Sequence, residues 1–120
     1  MSSKVIYASA ARTATPTALQ FAVPAGTRAI RVVLDATAVT ATPDVVLKID
    51  ALDSTSGKFV NLLTGASVAT VSTMPYTVGL GVTAAANVAA AAPLADQLKI
   101  TCTHGDADSI TYSVGATFIR

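Results

Sequence analysis

The stretch Ser109-Ile110-Thr111-Tyr112-Ser113-Val114-Gly115-Ala116-Thr117-Phe118-Ile119-Arg120 decides the fold. Its large apolar residues fall on every second position: Ile110, Tyr112, Val114, Ala116 and Phe118. Thr111, Ser113, Gly115 and Thr117 sit between them. A side-chain period of two places one set on one face of a strand and the other set on the opposite face. The stretch therefore reads as a half-buried β-strand built into a sheet.

Working outward, the same rhythm recurs. Ile30, Val32, Leu34, Ala36 and Ala38 alternate with Arg31, Val33, Asp35 and Thr37. Val45, Leu47, Ile49 and Ala51 alternate with Val46, Lys48 and Asp50, and Leu98, Ile100, Cys102 and His104 with Lys99, Thr101 and Thr103. Shorter strand signals lie at 18–23, 58–63, 68–71 and 76–80, and an ambiguous one at 5–8. Pro75 favours a strand start or a sheet edge, because proline lacks the N–H that a ladder needs. Pro24-Ala25-Gly26 reads as a turn, and 40–44 with Pro43 as a connection. Asp53-Ser54-Thr55-Ser56-Gly57 is a hairpin signal that predicts antiparallel pairing of its two flanks. Gly105-Asp106-Ala107-Asp108-Ser109 is expected to make a second hairpin into the terminal strand.

Residues 82–92 break the pattern. They are mostly alanine, the best helix former, but too short for an independent helix. The expectation is a loop with one or two helical turns, crossing from one sheet to the other. Residues 1–17 are small and polar and read as an N-terminal arm ordered by neighbouring subunits, leaving 18–120 as one domain. Seven or eight short alternating strands imply an all-β chain, an antiparallel β-sandwich of jelly-roll type, with a barrel as the other solution.

Composition narrows the function. Hydrophobic residues make up 52% of the 120 residues and charged residues 12%, about half the usual share. Membrane insertion does not account for this, since no run approaches the roughly 18 apolar residues of a spanning helix. The N-terminal residues lack the apolar centre of a signal peptide. The remaining explanation is a surface largely covered by other protein. The net charge of +1 comes from scattered residues, so no basic stripe faces nucleic acid. The single cysteine, Cys102, forms no internal disulfide, which suits a reducing cytosol.

No residues assemble into a catalytic, cofactor-binding or metal site, and an enzyme is not expected. His104 is the only histidine and shares a strand face with Cys102, but two ligands do not make a metal site. His104 is expected at the strand end with its ring bonded to turn backbone, and Cys102 as a buried small hydrophobe. Asp106, Asp108 and Ser109 read as turn formers rather than calcium ligands. Asp53 opens a hairpin, and Asp50 lies on a polar strand face. Gly57-Lys58 lacks the spacing of a phosphate loop, and no serine sits in a Gly-x-Ser-x-Gly elbow. Arg12, Arg28, Arg31 and Arg120 suit either an interface or a solvated surface.

Three segments together resemble a known group: VVLKIDALDSTSGKFVNLL at 45–63, GLGVTAAANV at 79–88 and ITCTHGDADSITYSV at 100–114. They are similar to small virion-associated proteins of tailed bacteriophages, which carry a Ser-Gly-Lys hairpin, a Thr-Ala-Ala-Asn-Val loop and a Thr-His-Gly-Asp-x-Asp-Ser-Ile-Thr-Tyr-Ser-Val-Gly ending. The likeness runs from Pro24 onward. Leu98-Lys99 stands where that group has Trp-Arg. The resemblance implies a capsid decoration (cement) protein, a β-sandwich and homotrimer made in the host cytoplasm. It would sit on the capsid exterior and bridge subunits of the major capsid protein. No cofactor, no nucleic-acid partner and no membrane are expected. A tail or fibre module for host-surface attachment is the alternative, and would carry exposed aromatics at one end.

Overall fold

Residues 2–120 are described in a computed structural model. The terminal stretch is the strand Ile110–Ile119, and each of its five alternating apolar residues is buried. It is the ninth and last strand. The others are β1 (Ser2–Arg12), β2 (Leu19–Ala22), β3 (Ala29–Val39), β4 (Val45–Asp53), β5 (Lys58–Thr64), β6 (Ser72–Gly79), β7 (Ala89–Ala90) and β8 (Gln97–His104). There is no helix among the described residues.

The strands form two sheets. One has the order β1-β9-β3-β6-β7, the other β2-β8-β4-β5. All pairings are antiparallel except the short contact of β6 with β7. One pattern of nesting underlies both orders: β1 pairs β9, β2 pairs β8, β3 pairs β6 and β4 pairs β5.

The inward faces are those the two-residue rhythm selects. Ile30, Val32 and Leu34 of β3 lie in one cluster with Leu47 and Ile49 of β4 and Leu98 and Ile100 of β8. The two sheets thus close over a single core, where each fully buried aliphatic side chain contributes about 1.5–3 kcal/mol. Phe21 meets Phe118 edge to face at 5.9 Å, joining β2 of one sheet to β9 of the other. Ala38, expected on the inner face, is exposed, because the β3–β9 register shifts between Ala36 and Ala38.

The hairpin at 53–57 forms as expected. Asp53 Oδ2 accepts from Ser56 Oγ at 2.7 Å, Gly57 N–H donates to Asp53 O at 2.8 Å, and Gly57 adopts φ 73°. Pro75 sits opposite Val33 on β6, whose far side is paired only at Thr77 and Val78, so its missing N–H costs no ladder bond.

Four local expectations are corrected. First, residues 105–109 do not close a hairpin. β8 lies in one sheet between β2 and β4, and β9 lies in the other between β1 and β3, so the turn arches across the core. Gly105 N–H donates to Asp44 O, and Thr40 N–H to Ser109 O, which holds the arch to the β3–β4 connection instead. Second, 82–92 contains no helical turn. Ala85 and Ala89 exchange backbone hydrogen bonds around Asn87 (φ 63°), and Thr77 N–H donates to Val88 O. Alanine side chains bury too little to hold a short helix against these strand bonds. The segment stays in the sheet of β6, which β7 joins, and the chain reaches the other sheet only between β7 and β8. Third, 68–71 is a single bridge: Val68 bonds Val45 in both directions and is buried, while Ala69, Thr70 and Val71 are exposed. Fourth, the expected N-terminal arm contains β1, eleven residues long and paired along β9.

Tyr76 is fully buried on β6, and its hydroxyl has no hydrogen-bond partner among the described residues. Burial pushes its pKa up to about 12. A Cβ at Gly65 would stand 2.7 Å from the Tyr76 ring, so the glycine makes room for it. A buried, unpaired hydroxyl is a net cost. Tyr76→Phe keeps the ring and is expected to raise stability by about 1 kcal/mol, measured by urea denaturation. A loss of similar size would show that the hydroxyl has a partner in solution.

Candidate functional site

The residues with reactive side chains converge at one place. Tyr7 and Arg12 come from β1, Cys102 and His104 from the end of β8, and Tyr112 from β9. Sequence spacing placed Cys102 and His104 on a common face. It did not indicate that Tyr7, Arg12 and Tyr112 join them.

His104 stands at the strand end, as expected, but its ring bonds a side chain and not turn backbone. Nε2 shares a hydrogen bond of 2.9 Å with the Tyr112 hydroxyl, and the two rings lie 5.8 Å apart. The His104 N–H donates to Thr15 Oγ1 in the β1–β2 connection. The Arg12 guanidinium lies over the Tyr112 ring at 4.7 Å and over the Tyr7 ring at 5.5 Å. Its N–H groups donate to Tyr112 O and Ala8 O, both at 2.6 Å, and to Ala10 O at 3.2 Å. The Tyr7 hydroxyl donates to Thr17 O at 2.8 Å and lies 3.3 Å from Ile100 O. The cluster therefore ties the first strand to both sheets.

Burial dominates its electrostatics. Burial pushes the Cys102 thiol up to about 12, so it stays protonated at neutral pH. Burial, and next the proximity of Cys102, raises the Tyr112 hydroxyl. His104 is lowered, first by burial and then by the Arg12 charge, with Asp106 opposing. The unfolded chain therefore takes up a proton on His104 at a higher pH than the folded chain does. Stability from this group is complete above about 6.5 and is lost as pH falls through the lower folded value. Urea midpoints are expected to fall from pH 7.5 to pH 5, and His104→Gln to reduce that slope. An identical slope in the variant would place the acid sensitivity elsewhere.

The remaining candidates occupy turns and surfaces. Asp108 N–H donates to Asp106 Oδ1 at 3.1 Å, and Thr42 N–H to Asp108 Oδ2 at 3.2 Å, which are turn and loop contacts. Asp50 accepts from Asn61 Nδ2 at 2.9 Å across the β4–β5 pair. Among the described residues no three His, Cys, Asp or Glu side chains gather as metal ligands. Arg28, Arg31 and Arg120 are exposed, and Arg12 alone of the four is built into the interior edge. No helix among the described residues is long and apolar enough to cross a membrane.

The surface is open and weakly charged. A broad groove runs between Asn61–Thr64 of β5 and the alanines at 84–92. β5 pairs only with β4, so its outer edge offers unpaired backbone groups beside that groove. Val5, Val60, Val71 and Leu80 are exposed, whereas all three tyrosines are buried. No protein-family model, no curated protein and no solved structure matches this chain.

Proposed function

We propose that this chain is a jelly-roll β-sandwich that serves as a structural component of a tailed-phage virion, as a capsid decoration protein bridging subunits of the major capsid protein. The nested pairing β1–β9, β2–β8, β3–β6 and β4–β5 supports the jelly-roll reading, since that fold is one long double ribbon rolled into two four-stranded sheets. Here β7 is an addition at one edge.

The observation that carries the functional reading is the contrast between interior and surface. Tyr7, Arg12, His104 and Tyr112 are consumed in bonds that hold strands together. The outside instead presents an alanine-lined groove, an open sheet edge and exposed aliphatics. Such a surface acts by covering area on a neighbour, and repeated attachment across a shell compounds weak single contacts. The tail-module alternative requires exposed aromatics. Tyr7, Tyr76, Tyr112, Phe21 and Phe118 are buried and Phe59 is half-buried beneath Lys99 Nζ at 4.1 Å, which favours decoration.

Quantitative mass spectrometry of purified particles tests this. Decoration predicts hundreds of copies per particle, and particles lacking the protein should bind it when it is added back. A handful of copies would move it to the tail, and absence from mature particles would remove it from the virion.

A further inference from the structure

The outward face of the larger sheet carries a second feature that strand pairing makes visible. Val5 of β1 pairs Gly115 of β9, Gly115 pairs Val33 of β3, and Val33 pairs Pro75 of β6. These four residues form one apolar row across four strands, on the side away from the core. Val5 is 69% exposed, and a shallow groove lies over Gly115 between Val5 and Val33, with Ser3, the exposed Lys4 and Thr117 also lining it. A solvated sheet face ordinarily carries polar residues at such positions.

Charge brackets the row. Arg31 and Asp35 stand two residues to either side of Val33 on the same outward face. They are the only charged residues at outward ladder positions of β9, β3 and β6. Along a strand they lie about 13 Å apart, too far to pair with each other. Arg31 is exposed, and Asp35 uses Oδ1 to accept from Thr73 Oγ1 at 2.9 Å. The order on β3 is thus positive, apolar, negative.

We infer that this face binds a second copy of the chain about a two-fold axis lying along the row Val5–Gly115–Val33–Pro75. That rotation reverses the strand direction, so Arg31 meets the partner's Asp35, and Asp35 meets the partner's Arg31. The apolar row stacks on itself between the two ion pairs. A two-fold contact must be self-complementary in this way. Four strands at about 4.8 Å spacing and about 33 Å in length present roughly 600 Å² per copy. A pair then covers about 1,200 Å², the lower end of specific interfaces. The contact is independent of the virion reading, and it differs from the three-fold arrangement that the resemblance implies.

Sedimentation equilibrium of the purified full chain tests the inference. The wild type is expected to approach twice the 12.1 kDa chain mass as concentration rises. Arg31→Asp alone and Asp35→Arg alone each set like charges against each other and should weaken association by about tenfold or more. The double exchange Arg31→Asp/Asp35→Arg should restore it. Val33→Lys, also outward, should abolish it while leaving the circular dichroism spectrum of the fold intact. A strictly monomeric wild type overturns the inference. So does a trimer, or a dimer whose mass is indifferent to the single charge reversals.

Discussion

Removal of residues 1–11 is expected to abolish cooperative folding rather than to free a dispensable tail. β1 pairs along β9 from Ser2 opposite Phe118 to Arg12 opposite Ile110. It contributes Ile6 and Tyr7 to the core, each less than 10% exposed. Burial of two large side chains accounts for about 1.5–3 kcal/mol each. Deletion also uncovers Tyr112 and Val114 of β9 and removes the acceptors at Ala8 and Ala10 that orient Arg12. A domain of this size has about 5–15 kcal/mol in total, so the combined loss removes most of it. Urea denaturation followed by far-ultraviolet circular dichroism should show a collapsed or absent transition. A truncated chain that melts at the wild-type midpoint would restore the picture of a detachable arm.

Tyr112→Ala is the second large effect, expected at about 3–5 kcal/mol, the range for removing a buried aromatic ring. The side chain is fully buried and lies under the Arg12 guanidinium. It also bonds His104 across from one sheet to the other. Truncation therefore opens a cavity and disconnects the polar cluster together. Tyr112→Phe separates the two losses. It keeps the ring and removes only the hydroxyl, for about 1 kcal/mol. Equilibrium unfolding of both variants, with His104→Gln in a double-mutant cycle, measures the partition. A Tyr112→Phe loss as large as that of Tyr112→Ala would mean that the hydrogen bond outweighs packing. No coupling to His104 would mean that the bond adds nothing to stability.

Much of the architecture is legible in the amino-acid sequence. The alternation over 110–118 and 45–51 named the buried face of β9 and β4 residue by residue. The hairpin at 53–57 was legible too, because its signal and its hydrogen bonds lie within a few residues of each other. β1 was hidden for a physical reason. Register shifts between Val5 and Tyr7 and between Tyr7 and Ala10 interrupt its period of two, so both Ile6 and Tyr7 turn inward. The turn at 105–109 misled because Gly, Asp and Ser permit any reversal of the chain. They do not state whether the next strand returns to the same sheet.

By itself the amino-acid order determined which side of each regular strand avoids water, since that follows from an alternation contained in the strand. Only the tertiary structure decided which strands lie side by side, as with β8 beside β2 and β4 while β9 lies beside β1 and β3. It also brought Tyr7, Arg12, His104 and Tyr112 into one cluster and set Val5, Gly115, Val33 and Pro75 in one row. Arg12 and Tyr112, for example, are separated by 100 positions in the chain. Their meeting depends on how two apolar faces close over a shared core, a condition that no local stretch of the chain contains.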